Sequence, residues 1–174
     1  MARAILVTGG NLGDVKPRLR RAQQLVNDEV GIVLHCSHVY ESAAWGFSSE
    51  CGFKNQAMEV DTDLAPEELL AAVQDIECRL GRDRQAEALE KARTGERYSS
   101  RTIDIDIIFY DDVTMDTADL TLPHPLMQER EFVLTPVAEI APDKVHPVLN
   151  KTVEQLRAEL LERQRSVAEN GNPS

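Results

Sequence analysis

Residues 101–109 read RTIDIDIIF, and this run constrains the fold more than any other stretch of the chain. Side chains on a strand alternate between faces. As a strand, the run therefore puts Ile103, Ile105 and Ile107 on one face and Asp104 and Asp106 on the other. Aspartate is disfavoured in strands, and two carboxylates on one face repel each other unless something positive stands nearby. One way to satisfy such a pair is to let solvent cover an outer sheet face. The other is a hard divalent cation such as Mg²⁺, which binds through one or two carboxylates plus substrate phosphates.

The arginines favour the second reading. Arg82, Arg84, Arg93, Arg97 and Arg101 all precede the aspartates within a short span. Guanidinium groups present forked donors that match phosphate oxygens, and arginines beside a metal-binding carboxylate pair are the usual parts of phosphoryl-transfer sites. The formal net charge of −11 argues against nonspecific nucleic-acid or anionic-membrane binding, yet leaves room for this local positive cluster. Downstream, PHP at 123–125 is a rigid turn displaying His124, with Arg130 and Phe132 close behind.

A glycine turn follows the first apolar run, in ILVTGGNLGD at residues 5–14. A dinucleotide-binding turn needs glycine two residues after the first, and Asn11 stands there. The short-chain-dehydrogenase spacing needs glycine at Val15. No acidic residue stands at a second strand end about twenty residues on; Leu34, His35 and Cys36 fall there instead. The turn serves something else.

The 174 residues suit one domain. Three cysteines with no C-x-x-C argue against a disulfide framework or zinc site. His35 and His38 read as structural. No leader-like segment opens the sequence and no apolar run approaches membrane-spanning length, so the cytoplasm is the expected location.

Local patterns predict alternating strands and helices. Ala4–Val7 is a buried strand, and Leu19, Ala22, Leu25 and Val26 recur at helical spacing. GIVLHCSHVY reads as one strand. FKNQAMEVD alternates, with Gln56, Met58 and Val60 on one face and Phe53, Asn55 and Ala57 on the other. APEELLAAVQDIECRLG is the clearest helix, started by Pro66 and stopped by Gly81, with Leu69, Leu70, Val73, Ile76 and Leu80 as its core stripe and Gln74 and Glu77 on a different face. Thr152 and Gln155 form a capping-box pattern before a last helix with Val153, Leu156 and Leu160 on its apolar edge. The predicted boundaries are a domain over 1–162 and a disordered tail over 163–174.

In chain order, GGNLG, YESAAWG, FKNQA, QDIECRLGRDR, RTIDIDII and LPHPLMQEREFVLTPVAEIAP together resemble the 6-hydroxymethyl-7,8-dihydropterin pyrophosphokinase family of folate biosynthesis. The likeness runs from about Ala4 to about Leu160. It implies one α+β domain, a ferredoxin-like α/β/α sandwich with a mainly antiparallel sheet and helices packed on it. It implies transfer of pyrophosphate from ATP, as co-substrate, to the pterin hydroxymethyl group, releasing AMP. Two Mg²⁺ ions would be held by Asp104 and Asp106.

The resemblance also assigns roles. Arg82 and Arg101 join the aspartates as catalytic residues. Ser42, Ala43, Trp45, Phe53, Asn55 and Phe132 form the pterin site, with Asn55 reading the ring through its amide and the two phenylalanines stacking on it. Gln74, Glu77, Arg84, Arg101, Ile107, Thr121, His124 and Arg130 line the ATP site.

Departures from the family pattern are Gly10 for a serine, Ala43 and Ala44 for a proline pair, Pro125 and Gln85 for an aromatic and a basic residue, and a long lid-like segment over 82–101 with Tyr98 for a tryptophan. Expected partners are small molecules, without nucleic acid or membrane; a weak homodimer or a folate-pathway partner is left open. The alternatives are a catalytically weak pterin- or nucleotide-binding module and a Mg²⁺-dependent phosphotransferase acting on another alcohol.

Overall fold

The computed structural model describes residues 1–11, 14–42, 53–81 and 103–170. Strand β1 (Ala2–Gly10) leads into helix α1 (Val15–Glu29), and the chain returns through β2 (Gly31–Cys36), β3 (Tyr40–Ser42) and β4 (Phe53–Thr62). Helix α2 (Pro66–Arg79) precedes β5 (Asp104–Tyr110) and a small hairpin of β6 (Met115–Asp116) and β7 (Thr121–Leu122). A 3-10 turn (Met127–Glu129), helix α3 (Glu131–Ile140) and helix α4 (Val153–Asn170) complete the described chain.

The main sheet runs β2-β4-β1-β5, with β3 also pairing with β4. All its pairings are antiparallel. Two βα units therefore interlock around the central β4 and β1, which is the ferredoxin-like order expected above.

Two cores form because the strands are apolar on both faces. Leu6, Met58, Val60, Ile105 and Ile107 pack with Leu19, Ala22 and Val26 of α1 and Leu69, Val73 and Ile76 of α2. On the other face Ile5, Val7, Ala57 and Ile108 pack with Val133, Leu134 and Val137 of α3 and Val153, Leu156 and Leu160 of α4. The result is helices, sheet, helices.

Strict alternation along RTIDIDIIF breaks once. The β1–β5 register shifts between Ile5 and Leu6, which face Phe109 and Ile107 respectively. Ile108 is thus an extra residue, a β-bulge. Ile108 and Phe109 both enter the second core, and Tyr110 returns to the first, where its hydroxyl donates to the Leu64 carbonyl at 2.6 Å. The bulge closes the open end of the aspartate face with apolar side chains and confines the two carboxylates to the Gly9 end of β1.

The predicted single strand GIVLHCSHVY is broken at residues 37–39. Ser37 makes the break, because its backbone N–H donates to the Ala57 carbonyl at 2.9 Å and its hydroxyl accepts from the Ala57 N–H at 2.9 Å. A side chain there replaces a ladder bond, and the chain kinks before pairing again as β3.

Helix ends follow their sequence signals. Glu68 accepts from the Ala65 N–H at 3.0 Å, Gly81 takes φ +103 after α2, and Thr152 and Gln155 exchange both capping-box bonds. The last helix runs past residue 162, where disorder was expected, through Asn170. Its early turns are held by the second core, and Arg163 donates to the Gln128 carbonyl at 3.2 Å. Residues 171–174 lie outside the described chain. Among the described residues no helix is long and apolar enough to cross a membrane.

Ser37→Ala leaves the buried Ala57 N–H without its acceptor. It is expected to lower unfolding stability by about 1–3 kcal/mol, measured as a shift in urea midpoint at unchanged m-value. A midpoint equal to wild type would show that the kink does not rest on this hydroxyl.

Candidate active site

Strand register assembles the site. Gly9 of β1 lies opposite Asn55 of β4 on one side and Asp104 of β5 on the other. Val7 likewise lies between Ala57 and Asp106. Directly paired residues share a face, so Asn55, Asp104 and Asp106 all stand on the α3 side of the sheet, just beyond the second core. Both aspartates are half-buried.

Gly9 has a specific task. A methyl group built on it would lie 2.4 Å from Asn55 Oδ1. The Asn55 side chain therefore lies over β1 in the space a Cβ would fill. Asn55 is only 6% exposed, and its buried Nδ2 has no hydrogen-bond partner among the described residues. A buried amide donor without an acceptor costs about 1–3 kcal/mol, so it marks a place where an acceptor is to be supplied from outside.

Phe53, two residues before Asn55, shares its face and is half-buried. Phe132 opens α3 with 36% of its surface exposed, and the Arg130 guanidinium lies 5.7 Å from its ring centroid. Asn55 thus shares a row with Asp104, and Phe132, with Arg130 near its ring, lies in the first turn of the helix that packs on the same face.

The free edge of β5 is secured by two groups. Fully buried Glu77 accepts from the Ile105 N–H at 2.9 Å. The His124 N–H donates to the Ile108 carbonyl at 3.0 Å. Expected from spacing to face away from the α2 core stripe, Glu77 is instead as buried as its neighbour Ile76, because the strand edge offers its carboxylate a donor. Its hydrogen bond falls on the residue between the two aspartates, which fixes the backbone that carries them.

His124 sits between opposite influences. Burial, and next the Arg130 charge, lower its pKa to about 4, against an upward pull from Asp104. It is neutral at pH 7, and these causes place Arg130, His124 and Asp104 in one neighbourhood. Its Nδ1 accepts a long bond from the Leu126 N–H at 3.5 Å, which leaves the proton on Nε2. A cavity of about 640 Å³ opens beside it, lined by Thr121, His124, Met115, Asp116, Gln128 and His146 among others. The Thr121 hydroxyl donates to Asp116 at 3.3 Å.

Structure and sequence diverge at other positions. Ile107, expected at the ATP site, sends its side chain into the first core, on the sheet face opposite the aspartates. Gln74 lies half-exposed one turn before Glu77 on α2. Arg82, Arg84, Arg101, Ala43 and Trp45 lie outside the described residues, as do Gln85, Ala44 and Tyr98; of Ser42, only the backbone pairing with Phe53 is described. Sequence reasoning missed Gly9 as the partner of Asn55, because the contact depends on a register no local pattern reveals. It also missed His146, whose Nδ1 accepts from the Val148 and Leu149 N–H groups at 3.2 and 3.1 Å and whose burial lowers its pKa.

The carboxylates fit a magnesium-bearing polyphosphate. Among the described residues no group of three or more metal-ligating side chains exists. Two hard carboxylates on one sheet face, completed by substrate phosphate oxygens, would suit Mg²⁺, which rarely uses an all-protein cage.

Fold and site together define an α+β protein of phosphate-transfer type, with a carboxylate pair on one strand of the main sheet. The chain belongs to the 7,8-dihydro-6-hydroxymethylpterin-pyrophosphokinase family, whose sequence model matches residues 5–142. It is 33% identical over 159 residues to the 2-amino-4-hydroxy-6-hydroxymethyldihydropteridine pyrophosphokinase of Aquifex aeolicus, covering 91% of this chain and 92% of that one. It is 40% identical over 154 residues to the protein of the same name from Synechocystis, covering 88% and 73%. Identity to the folic acid synthesis protein FOL1 of Dictyostelium discoideum is 38% over 160 residues, covering 89% of this chain but 22% of that one. In fold it resembles the Plasmodium falciparum HPPK-DHPS structure with pteroate, at TM-score 0.71 and 15% identity, over 97% of this chain and 46% of that chain. The chain thus spans less than half of the Dictyostelium and Plasmodium proteins, most of the Synechocystis protein and nearly all of the Aquifex protein.

Two outcomes follow from the geometry. Gly9→Ala is expected to push the Asn55 side chain off β1, destabilising the fold by about 1–3 kcal/mol and weakening pterin binding more than ATP binding, as read by calorimetry. Equal loss for both ligands would contradict the assigned contact. In the metal-free protein the His124 ring is expected to titrate near pH 4 by NMR. Its folded pKa lies below its unfolded value, so the stability it contributes is complete above about pH 6.5 and declines as pH falls toward 4. A midpoint near 6.5 would show that the ring is not buried as described.

Proposed function

We propose that this chain transfers the terminal pyrophosphoryl group of MgATP to the hydroxymethyl oxygen of 6-hydroxymethyl-7,8-dihydropterin, with AMP as the other product. Family membership supports the reaction class, and the unpartnered Nδ2 of Asn55 in the row Asn55–Gly9–Asp104 carries the assignment of the acceptor. A pterin edge offers ring nitrogens and a carbonyl to that donor. Phe53 and Phe132 suit the faces of a flat heterocycle.

Asp104 and Asp106 would hold two Mg²⁺ ions with the ATP phosphates. Bound there, magnesium neutralises phosphate charge and raises the electrophilicity of the β-phosphorus. The chain's own residues do the positioning. Asn55 and the phenylalanines orient the pterin so that its hydroxymethyl oxygen faces the β-phosphorus. Neutral His124 offers its Nε2–H to a phosphate oxygen, and Arg130 adds charge beside it. A bond forms from the alcohol oxygen to the β-phosphorus. The bond from the β-phosphorus to the oxygen bridging it to the α-phosphorus breaks, and AMP leaves with that oxygen. The alcohol proton passes to solvent. Most of the acceleration comes from placing the two substrates in line and from charge already in place.

Arg82, Arg84 and Arg101 are proposed to complete the phosphate contacts, and Ser42, Ala43 and Trp45 the pterin pocket. The reaction requires only small molecules; a weak homodimer or a folate-pathway partner is compatible with it.

The test is AMP formation from MgATP with and without the pterin. Wild type is expected to release AMP only with pterin present, and Asp104→Ala/Asp106→Ala to lose at least about a thousand-fold in kcat while remaining folded. Pterin-independent AMP release, or full activity in the double variant, would overturn the proposal.

A further inference from the structure

At the far end of α3 from Phe132, one carboxylate meets three polar groups. Glu139, in the last turn of α3, accepts from the Tyr40 hydroxyl at 2.5 Å. It accepts from the His38 backbone N–H at 3.0 and 3.3 Å. The His38 ring Nδ1 lies 3.1 Å from the same carboxylate. These partners lie about a hundred residues apart in sequence, so the contact is a tertiary fastening rather than a local turn.

What it fastens matters. His38 and Tyr40 lie in the kink and at the start of β3, and Tyr40 is the direct register partner of Asn55. At the other end, Phe132 is the second residue of α3, near Arg130. Helix α3 also packs on β4 through the second core. One rigid helix therefore links the exposed ring of Phe132 to the strand pair that carries Asn55.

We infer that Glu139 is a positioning residue for the pterin: through Tyr40 and His38 it ties β3 to α3 and so sets the gap between Asn55 and Phe132 into which the ring fits. The electrostatics agree with a closed clasp. Burial works to raise the Glu139 pKa, but the Tyr40 hydroxyl and the His38 donors outweigh it and hold it low. The bond to Glu139, with some burial, pushes the Tyr40 phenol upward, against a small opposing pull from Arg157. At neutral pH the acceptor is ionised and the phenol keeps its proton. None of the three side chains is expected to touch ATP, so the clasp acts on one substrate only.

The inference rests on the pyrophosphokinase reading, and the experiment separates the two. Wild type, Tyr40→Phe, Glu139→Gln and Glu139→Ala are compared for pterin KM, kcat and MgATP affinity measured separately by calorimetry, with circular dichroism to confirm folding. Glu139→Ala is expected to raise pterin KM about tenfold, in line with loss of hydrogen bonds to a charged group, with MgATP affinity within about twofold. Glu139→Gln keeps one acceptor oxygen and is expected to recover part of that loss. Tyr40→Phe removes a single hydroxyl, and its effect is expected to vanish in the Glu139→Ala background. Unchanged pterin KM in folded Glu139→Ala and Tyr40→Phe overturns the clasp while leaving the reaction intact. Parallel losses for pterin and MgATP also overturn it, since they signal general loosening. If wild type shows no pterin-dependent AMP release, both readings fall; if Glu139→Ala fails to fold, Tyr40→Phe decides alone.

Discussion

The missing side chain at Gly9 is the constraint on which the site depends. Only a bare backbone at that point of β1 lets the Asn55 amide lie across the strand, and only the antiparallel register on both sides of β1 brings that amide into one row with Asp104. Any larger residue would separate the two halves of the site. Asn55 and Asp104 come from strands distant in sequence, and β1 between them sets their spacing.

Around that row the protein holds the carboxylates rigidly from behind. Glu77 occupies the edge donor between them, the His124 backbone occupies the edge acceptor at the bulge, and the bulge itself turns Ile108 and Phe109 into the second core. Two like charges on one face resist close approach, and a backbone pinned on three sides is what keeps them there before any cation arrives. Neutral His124 belongs to the same logic: burial and Arg130 hold it uncharged, so it can donate to a phosphate without contributing or losing a proton at pH 7.

Much of this was legible in the residues. Alternation in RTIDIDIIF placed the aspartates together, alternation in FKNQAMEVD put Asn55 on the Ala57 face, and cap residues marked the helix ends. What was not legible depends on register and tertiary contact. Helical spacing sets Glu77 on a different face from the core stripe, because it says nothing of a strand edge waiting for an acceptor. GIVLHCSHVY looked continuous because the kink arises from Ser37 bonding across to Ala57. Only the resemblance puts Ile107 at the ATP site; alternation already sets its side chain on the face opposite the aspartates, where the first core holds it. Tyr40 and Glu139 lie in the motifs YESAAWG and LPHPLMQEREFVLTPVAEIAP, but their pairing was not legible, since it exists only where α3 and β3 meet.

The central claim is that the unpartnered Asn55 amide is the donor that reads the acceptor substrate. The most direct measurement is the side-chain amide resonance pair of Asn55 in ¹⁵N-labelled protein, assigned by its loss in Asn55→Ala. It is followed as 6-hydroxymethyl-7,8-dihydropterin is added in the presence of Mg²⁺ and a nonhydrolysable ATP analogue. The expected result is a saturable downfield shift of one amide proton, as a free donor gains an acceptor. Saturable pterin binding with both Asn55 amide protons unmoved would contradict the account.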